Sequence, residues 1–244
     1  YLRGMQFIQV PTTLAAMTDA SIGGKVAYNL EHGKNLVGAF YQPKLVFEEL
    51  NFLSSLPERE KISGWAEAIK HSIILDKNLF EDFKLNRDKI YNLDNNYSAE
   101  ILKRSVKIKG DIVSQDEFET GEERIKLNYG HTVGHAIEKV SNFNSYLHGE
   151  AVSIGMMVAI KISKKIGMID KDSETEQKTI LENYNLPTFA KNLDKSKILE
   201  AIKMDKKNVD GKVKWVLLDS IGKAKIVRGV DESVIKEAIS EVII

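Results

Sequence analysis

The run from Ala151 to Ile162, AVSIGMMVAIKI, is apolar on every helical face and is interrupted only by Ser153, Gly155 and Lys161. A helix that is apolar all round is buried inside a protein, and this run is well short of the roughly 20 residues a bilayer span needs. The chain is therefore expected to bury it as an interior helix. From Pro57 onward the apolar spacing predicts further helices over residues 58–75, 78–93, 97–115, 124–140, 149–167, 172–184 and 195–204, with a closing helix over 231–243. Val213 to Leu218 and Ala224 to Val227, separated by a Gly-containing turn, predict a hairpin. Before Pro57, Met5 to Val10 and Leu45 to Leu50 predict two short strands. The glycine-bearing stretch between them has no clean period and predicts a loop-rich functional connector. The expected fold is thus mainly α, a multi-helical domain over 58–244 with one hairpin, preceded by the tail end of an α/β unit over 1–57. The chain opens at Tyr1 with neither an initiator Met nor a signal-peptide pattern, as a piece of a longer protein would.

Charge narrows the class of partner. Lys plus Arg number 35 and Asp plus Glu number 35, so no global field draws in a nucleic acid or an anionic membrane. The 244 residues contain no cysteine, which removes any disulfide framework and fits a reducing, cytoplasmic setting. With thiolates excluded, a zinc-like site must use His nitrogens and carboxylate oxygens, a ligand set that leaves a coordination position open for substrate or water.

Three of the five histidines fall in LNYGHTVGHAIEKVSNFNSYLHGEAVSIGM. Arg124, Asn128, His131, His135 and Glu138 are spaced four, three, four and three residues apart, which predicts one stripe of a single helix. Such a stripe is either a ligand-bearing face or a solvated one with two incidental histidines. His131 and His135 are spaced like the ligands of a metalloprotease helix, but Thr132, Val133 and Gly134 lie between them in place of a general-base Glu, which disfavours a peptidase. His148, at the mouth of the buried helix, is placed either to ligate or to pack and cap. In GWAEAIKHSIIL, Glu67 and Lys70 sit among apolar neighbours, so each needs a partner: a cation for Glu67, or an ion pair between the two. His71 reads as structural. Lys25, Lys34, Lys109, Lys206 and Lys207, taken with Arg124, suit a small substrate carrying a phosphate and a carboxylate.

Read in order, PTTLAAMTDASIGGK, GKNLVGAFYQP, LPEREKISGWAEAIKHSIILD, DEFETGEERIKLNYGHTVGHAIE and HGEAVSIGM resemble successive motifs of the 3-dehydroquinate synthase family, with coverage from Tyr1 to the terminal helix. The resemblance implies conversion of 3-deoxy-D-arabino-heptulosonate 7-phosphate into 3-dehydroquinate and phosphate, a shikimate-pathway step that uses zinc and catalytic NAD+ in a homodimer. It further implies Glu67, His131 and His148 as metal ligands and His135 as a catalytic histidine. Substrate contacts are implied for Asp19, Asn35, Lys70, Lys109, Arg124, Asn128 and one of Lys206 or Lys207. Arg3 resembles an arginine that reaches the substrate of the neighbouring subunit, and Thr12, Thr13, Lys25, Lys34 and the segment Phe52, Leu53, Ser54 and Ser55 match positions lining the NAD site.

The chain departs from the family pattern in two places. The family's glycine-rich nucleotide-binding half precedes the point where this chain begins, so the fragment alone is expected to bind NAD poorly and to turn over little substrate. The family's acidic residue stands four positions before the arginine matched by Arg124, whereas Glu119 stands five before it. Cobalt accepts the same ligands as zinc. The rival readings are another sugar-phosphate cyclase, such as a 2-deoxy-scyllo-inosose synthase, a metal-dependent polyol dehydrogenase of the glycerol dehydrogenase type, and a non-catalytic metal-stabilised helical domain.

Overall fold

The computed structural model describes residues 5–30, 33–204 and 213–244, with the side chains of residues 29, 33–36 and 95 outside that description. Its strands are β1 (Ile8–Gln9), β2 (Lys25–Leu30), β3 (Gly33–Phe40), β4 (Leu45–Val46), β5 (Lys214–Ser220) and β6 (Lys223–Arg228). Its helices are α1 (Glu58–Leu75), α2 (Lys77–Leu85), α3 (Arg87–Tyr91), α4 (Asn95–Gln115), α5 (His131–Val140), α6 (His148–Lys165), α7 (Lys171–Asn183), α8 (Lys195–Lys203) and α9 (Glu232–Val242). The mainly helical expectation holds, and aspartates start many of these helices. Asp76, Asp94, Asp170, Asp194 and Asp231 each accept a hydrogen bond from a first-turn amide of α2, α4, α7, α8 and α9, using donors that the helix itself leaves unpaired.

The core forms around α6, which is buried nearly throughout its length as its all-round apolar sequence requires. Its few polar groups are satisfied. Ser153 Oγ donates to the Pro187 carbonyl at 2.8 Å, and Ser163 Oγ donates to Ala159 O and accepts from Leu218 N. Gln177 Nε2 reaches the Met156 carbonyl at 2.9 Å and Gln177 Oε1 accepts from Tyr129 Oη at 2.7 Å. The α1, α5, α7 and α9 helices and the β5–β6 hairpin pack around α6. Gly222 N, in the turn of that hairpin, donates to Ile73 O of α1 at 2.7 Å and ties the hairpin to the helix. No helix among the described residues is long and apolar enough to cross a membrane.

Four expectations are corrected. The helix over 124–140 is two pieces, a 3-10 turn Arg124–Asn128 and α5, because Tyr129 is extended (φ −56°, ψ 126°) and Gly130 is left-handed (φ 78°). Gly130 is fixed there by packing as well, since a Cβ on it would lie 2.7 Å from the Val152 carbonyl oxygen. Arg124, Asn128, His131, His135 and Glu138 therefore do not share one helical stripe. The helix over 78–93 breaks at Asn86 (φ −118°, ψ 26°) into α2 and α3. The supposed loop-rich connector holds a π-helical turn, Ala16–Ala20, and the antiparallel β2–β3 hairpin, in which Lys25 pairs with Phe40 and Tyr28 with Val37. The two leading strands are shorter than expected, and β1 pairs in parallel with β4 through Ile8↔Leu45 and Gln9↔Val46.

Candidate metal centre

Three helices converge on one buried carboxylate. Glu67 lies mid-way along α1 with its side chain almost wholly inside the protein, while His131 and His148 are the first residues of α5 and α6. Tight packing of α5 on α6 brings the two helix starts together. A Cβ on Gly155 would stand 1.9 Å from the Gly130 carbonyl oxygen, so only glycine permits that approach. One ligand atom from each of Glu67, His131 and His148 lies within 4.8 Å of the others.

Hydrogen bonding shows what these atoms lack. Lys70 Nζ donates to Glu67 Oε2 at 2.5 Å, so the ion pair expected as the alternative to a cation is present on one oxygen. The other oxygen, Oε1, is buried without a hydrogen-bond partner and faces His131 Nε2 at 3.5 Å and His148 Nε2 at 3.7 Å. His131 Nδ1 lies 3.2 Å from the Tyr129 carbonyl. A carbonyl only accepts, so the proton of the neutral ring belongs on Nδ1 and Nε2 carries a bare lone pair toward Glu67. An orphaned carboxylate oxygen facing a ring lone pair across a short gap suits a divalent cation.

The electrostatics agree with that donor set. Burial works against charge on Glu67, yet Lys70, joined by His148, outweighs it and holds the carboxyl well below the usual carboxylate range. Burial, reinforced by Lys70, holds His131 far below the usual imidazole value and keeps it neutral. Burial would also lower His148, but contacts with Glu138 and Glu67 push it up to about 10. With no metal bound, His148 therefore carries a proton that a cation must displace.

Other expected residues gather next to the trio. Asp19, in the π-helical turn, accepts from Lys109 Nζ through Oδ1 at 2.5 Å and through its backbone carbonyl. Burial opposes its charge, but Lys109 outweighs this and holds the Asp19 carboxyl low. His71 is buried, with Nδ1 2.8 Å from Ser105 Oγ, and burial pushes it down to about 3. His135, one turn along α5 from His131, has its ring centroid 5.3 Å from that of His131 and 6.2 Å from that of His148.

A second cluster forms where the β2–β3 hairpin meets the loop after α4. Lys25 pairs with Glu119, and Glu119 Oε1 accepts from Asn128 Nδ2 at 3.3 Å. Arg124 is buried, donates to the carbonyls of Glu117 and Gly23, and lies over the Phe40 ring at 5.7 Å. Asp116 was not foreseen as part of this region. Its carboxylate accepts from the amides of Thr120, Gly121 and Arg124 and shapes the loop, and the readable signal was an Asp shortly before a Thr-Gly pair.

The remaining expectations fall elsewhere. Thr12 is exposed and Thr13 Oγ1 accepts from Ala16 N at 3.3 Å. Phe52, Leu53, Ser54 and Ser55 lie in a 3-10 turn, with Phe52 exposed and Leu53 sealed in the core. Arg3, Lys206 and Lys207 lie outside the described residues, as do the side chains of Lys34 and Asn35. Glu138, noted in the sequence only for its spacing, is buried beside His148, with Oε1 3.4 Å from His148 Nδ1.

A family described as 3-dehydroquinate synthase C-terminal matches residues 64–208, and one described as 3-dehydroquinate synthase N-terminal matches residues 1–63. The 3-dehydroquinate synthase of Thermodesulfovibrio yellowstonii is 47% identical over 242 residues, which are 99% of this chain and 67% of that protein. The chain thus spans about two thirds of the length of the curated relatives it matches. Among solved structures, a 2-epi-5-epi-valiolone synthase from Streptomyces hygroscopicus with NAD+ and Zn2+ bound superposes with a TM-score of 0.91 at 24% identity, over 99% of this chain and 67% of that one, a likeness of fold. A 2-deoxy-scyllo-inosose synthase complexed with carbaglucose-6-phosphate, NAD+ and Co2+ superposes with a TM-score of 0.84 at 29% identity, over 99% of this chain and 68% of that one.

Proposed function

The chain belongs to the 3-dehydroquinate synthase family, and from that premise we propose that it is the metal- and substrate-holding part of an enzyme converting 3-deoxy-D-arabino-heptulosonate 7-phosphate to 3-dehydroquinate and phosphate. The observation that carries the reading is the buried, unbonded Glu67 Oε1 facing two imidazole nitrogens. The reaction is a lyase step, a phosphate elimination with no net redox change. Residue 57 is its domain boundary, with 1–57 belonging to the NAD-binding unit and 58–244 to the metal and substrate domain. The protein is a cytoplasmic homodimer in this reading, the dimer resting on the likeness of Arg3 to an arginine that serves a neighbouring subunit.

Glu67, His131 and His148 would hold Zn2+ or Co2+. When bound, the cation would supply Lewis acidity toward a substrate hydroxyl, and NAD+ would supply reversible hydride chemistry. Lys70 occupies Glu67 Oε2, which fixes the carboxylate plane and leaves Oε1 for the cation. Lys109 and Asp19, paired beside Glu67, orient the substrate against the centre. His135 and Asn128 position substrate and handle its protons, and Arg124, donating to the carbonyls of Glu117 and Gly23, keeps the Lys25–Glu119 side of the site in register. Such fixed placement of reacting groups is a major part of catalysis.

The test uses the full-length protein. An anomalous scattering map at the zinc edge should place a peak between Glu67, His131 and His148, and an assay should release phosphate without accumulating NADH. A peak elsewhere, or net NADH from a simple polyol, overturns the reading. His135→Ala should retain zinc and lose turnover, and retained turnover removes His135 from the chemistry.

A further inference from the structure

The two histidines of the trio are held from behind in matching fashion. His131 turns Nδ1 to a backbone carbonyl, that of Tyr129 at 3.2 Å, and His148 turns Nδ1 to a side chain, Glu138 Oε1 at 3.4 Å. In both rings the opposite nitrogen, Nε2, faces Glu67 Oε1. A carboxylate, like a carbonyl, accepts from an N–H, so Glu138 keeps a proton on Nδ1 of His148 and leaves Nε2 as the atom presented forward.

Glu138 is placed for this by the fold. It lies seven residues after His131, two turns along the same face of α5. The Gly155–Gly130 contact presses α5 against α6 at backbone distance, which carries that face to the first residue of α6. Glu138 is buried, only 7% exposed, so its contact with His148 is little weakened by water.

We infer that Glu138 is a positioning residue of the metal centre, fixing the ring orientation and tautomer of His148 from outside the ligand set. The inference rests on the reading that Glu67, His131 and His148 bind the cation. His135, Glu138 and His148 also lie within ligand reach of one another, so direct ligation by Glu138 is the outcome that competes with it.

The test measures Zn2+ affinity of the full-length protein by competition with a chromophoric chelator, together with the visible spectrum of the Co2+ form. Glu138→Ala should weaken Zn2+ binding by roughly ten- to a hundredfold, the usual effect of removing such an outer partner, and shift the Co2+ bands. Glu138→Gln, whose amide oxygen still accepts from Nδ1–H, should fall between Glu138→Ala and the parent, a graded rescue that a purely structural role does not give. It also carries the test if the alanine variant does not fold. Parent-like affinity in both variants overturns the positioning role alone, because the parent still binds. A parent that binds no Zn2+ overturns the metal centre itself. An anomalous peak between His135, Glu138 and His148 makes Glu138 a ligand and overturns the inference.

Discussion

The α6 helix and the β2–β3 hairpin both carry candidate residues, and they are secured in opposite ways. α6 is enclosed by α1, α5, α7, α9 and the β5–β6 hairpin, and His148 emerges from that packed interior at its first residue. The β2–β3 hairpin exposes Tyr28 and Val37 to 71% and 59%. It is tied down by the Lys25–Glu119 pair, the 3.1 Å bond from Gln42 to Glu117, Arg124 on the Gly23 carbonyl, and an edge contact of Phe40 with Phe118. A centre that must fix a cation is preorganised by core packing, whereas contacts at the surface are screened by water and open at low cost. The Glu67 side is therefore expected to hold its geometry more firmly than the hairpin side.

The largest break in that contrast is expected from Glu67→Ala. It leaves the Lys70 ammonium buried without its 2.5 Å partner, and the expected loss is about 3–5 kcal/mol in denaturant unfolding. Next comes Gly155→Ala, where the added methyl meets the Gly130 carbonyl. Overpacking of this kind costs roughly 1–3 kcal/mol in thermal unfolding, and an unchanged melting temperature would show that α5 and α6 are not locked together.

His71 sharpens the comparison through pH. Its folded value is depressed by burial from 6.5 to about 3, so the unfolded chain takes up the proton first as pH falls. The His71 contribution is complete above about 6.5 and is lost on acidification toward about 3. His71→Gln should flatten the stability profile across that window, by a slope of up to about 1.4 kcal/mol per pH unit, read from urea midpoints. The smallest effect is expected from Lys25→Ala on the exposed side. It should change global stability by less than about 1 kcal/mol, yet speed amide exchange in β2 and β3 while leaving α6 unchanged.

Legibility in the sequence followed the same divide. The buried character of α6 and the boundaries of α1 could be read because an apolar pattern and a continuous helix dominate there. Glu67 between Trp65 and Ile69 announced a buried charge in need of a partner, and it has one on a single oxygen only. The β2–β3 hairpin was missed because KVAYNL and GKNLVGAF expose apolar residues on a surface that is not a core face, so no clean alternation marks them. The stripe through Arg124 and His135 failed at Gly130, since spacing counts residues and is blind to a left-handed backbone step. Glu138 had no assigned role because its partner, His148, belongs to a different helix and only tertiary packing joins them.

The reset of chain direction at Gly130 separates two duties that lie only a few residues apart in sequence. Arg124, before it, donates to the Gly23 carbonyl beside the hairpin, and Glu138, after it, faces His148 of α6. Substitutions confined to the segment between Glu119 and Asn128 are thus expected to disturb the hairpin side while leaving the His131 ring against the Tyr129 carbonyl.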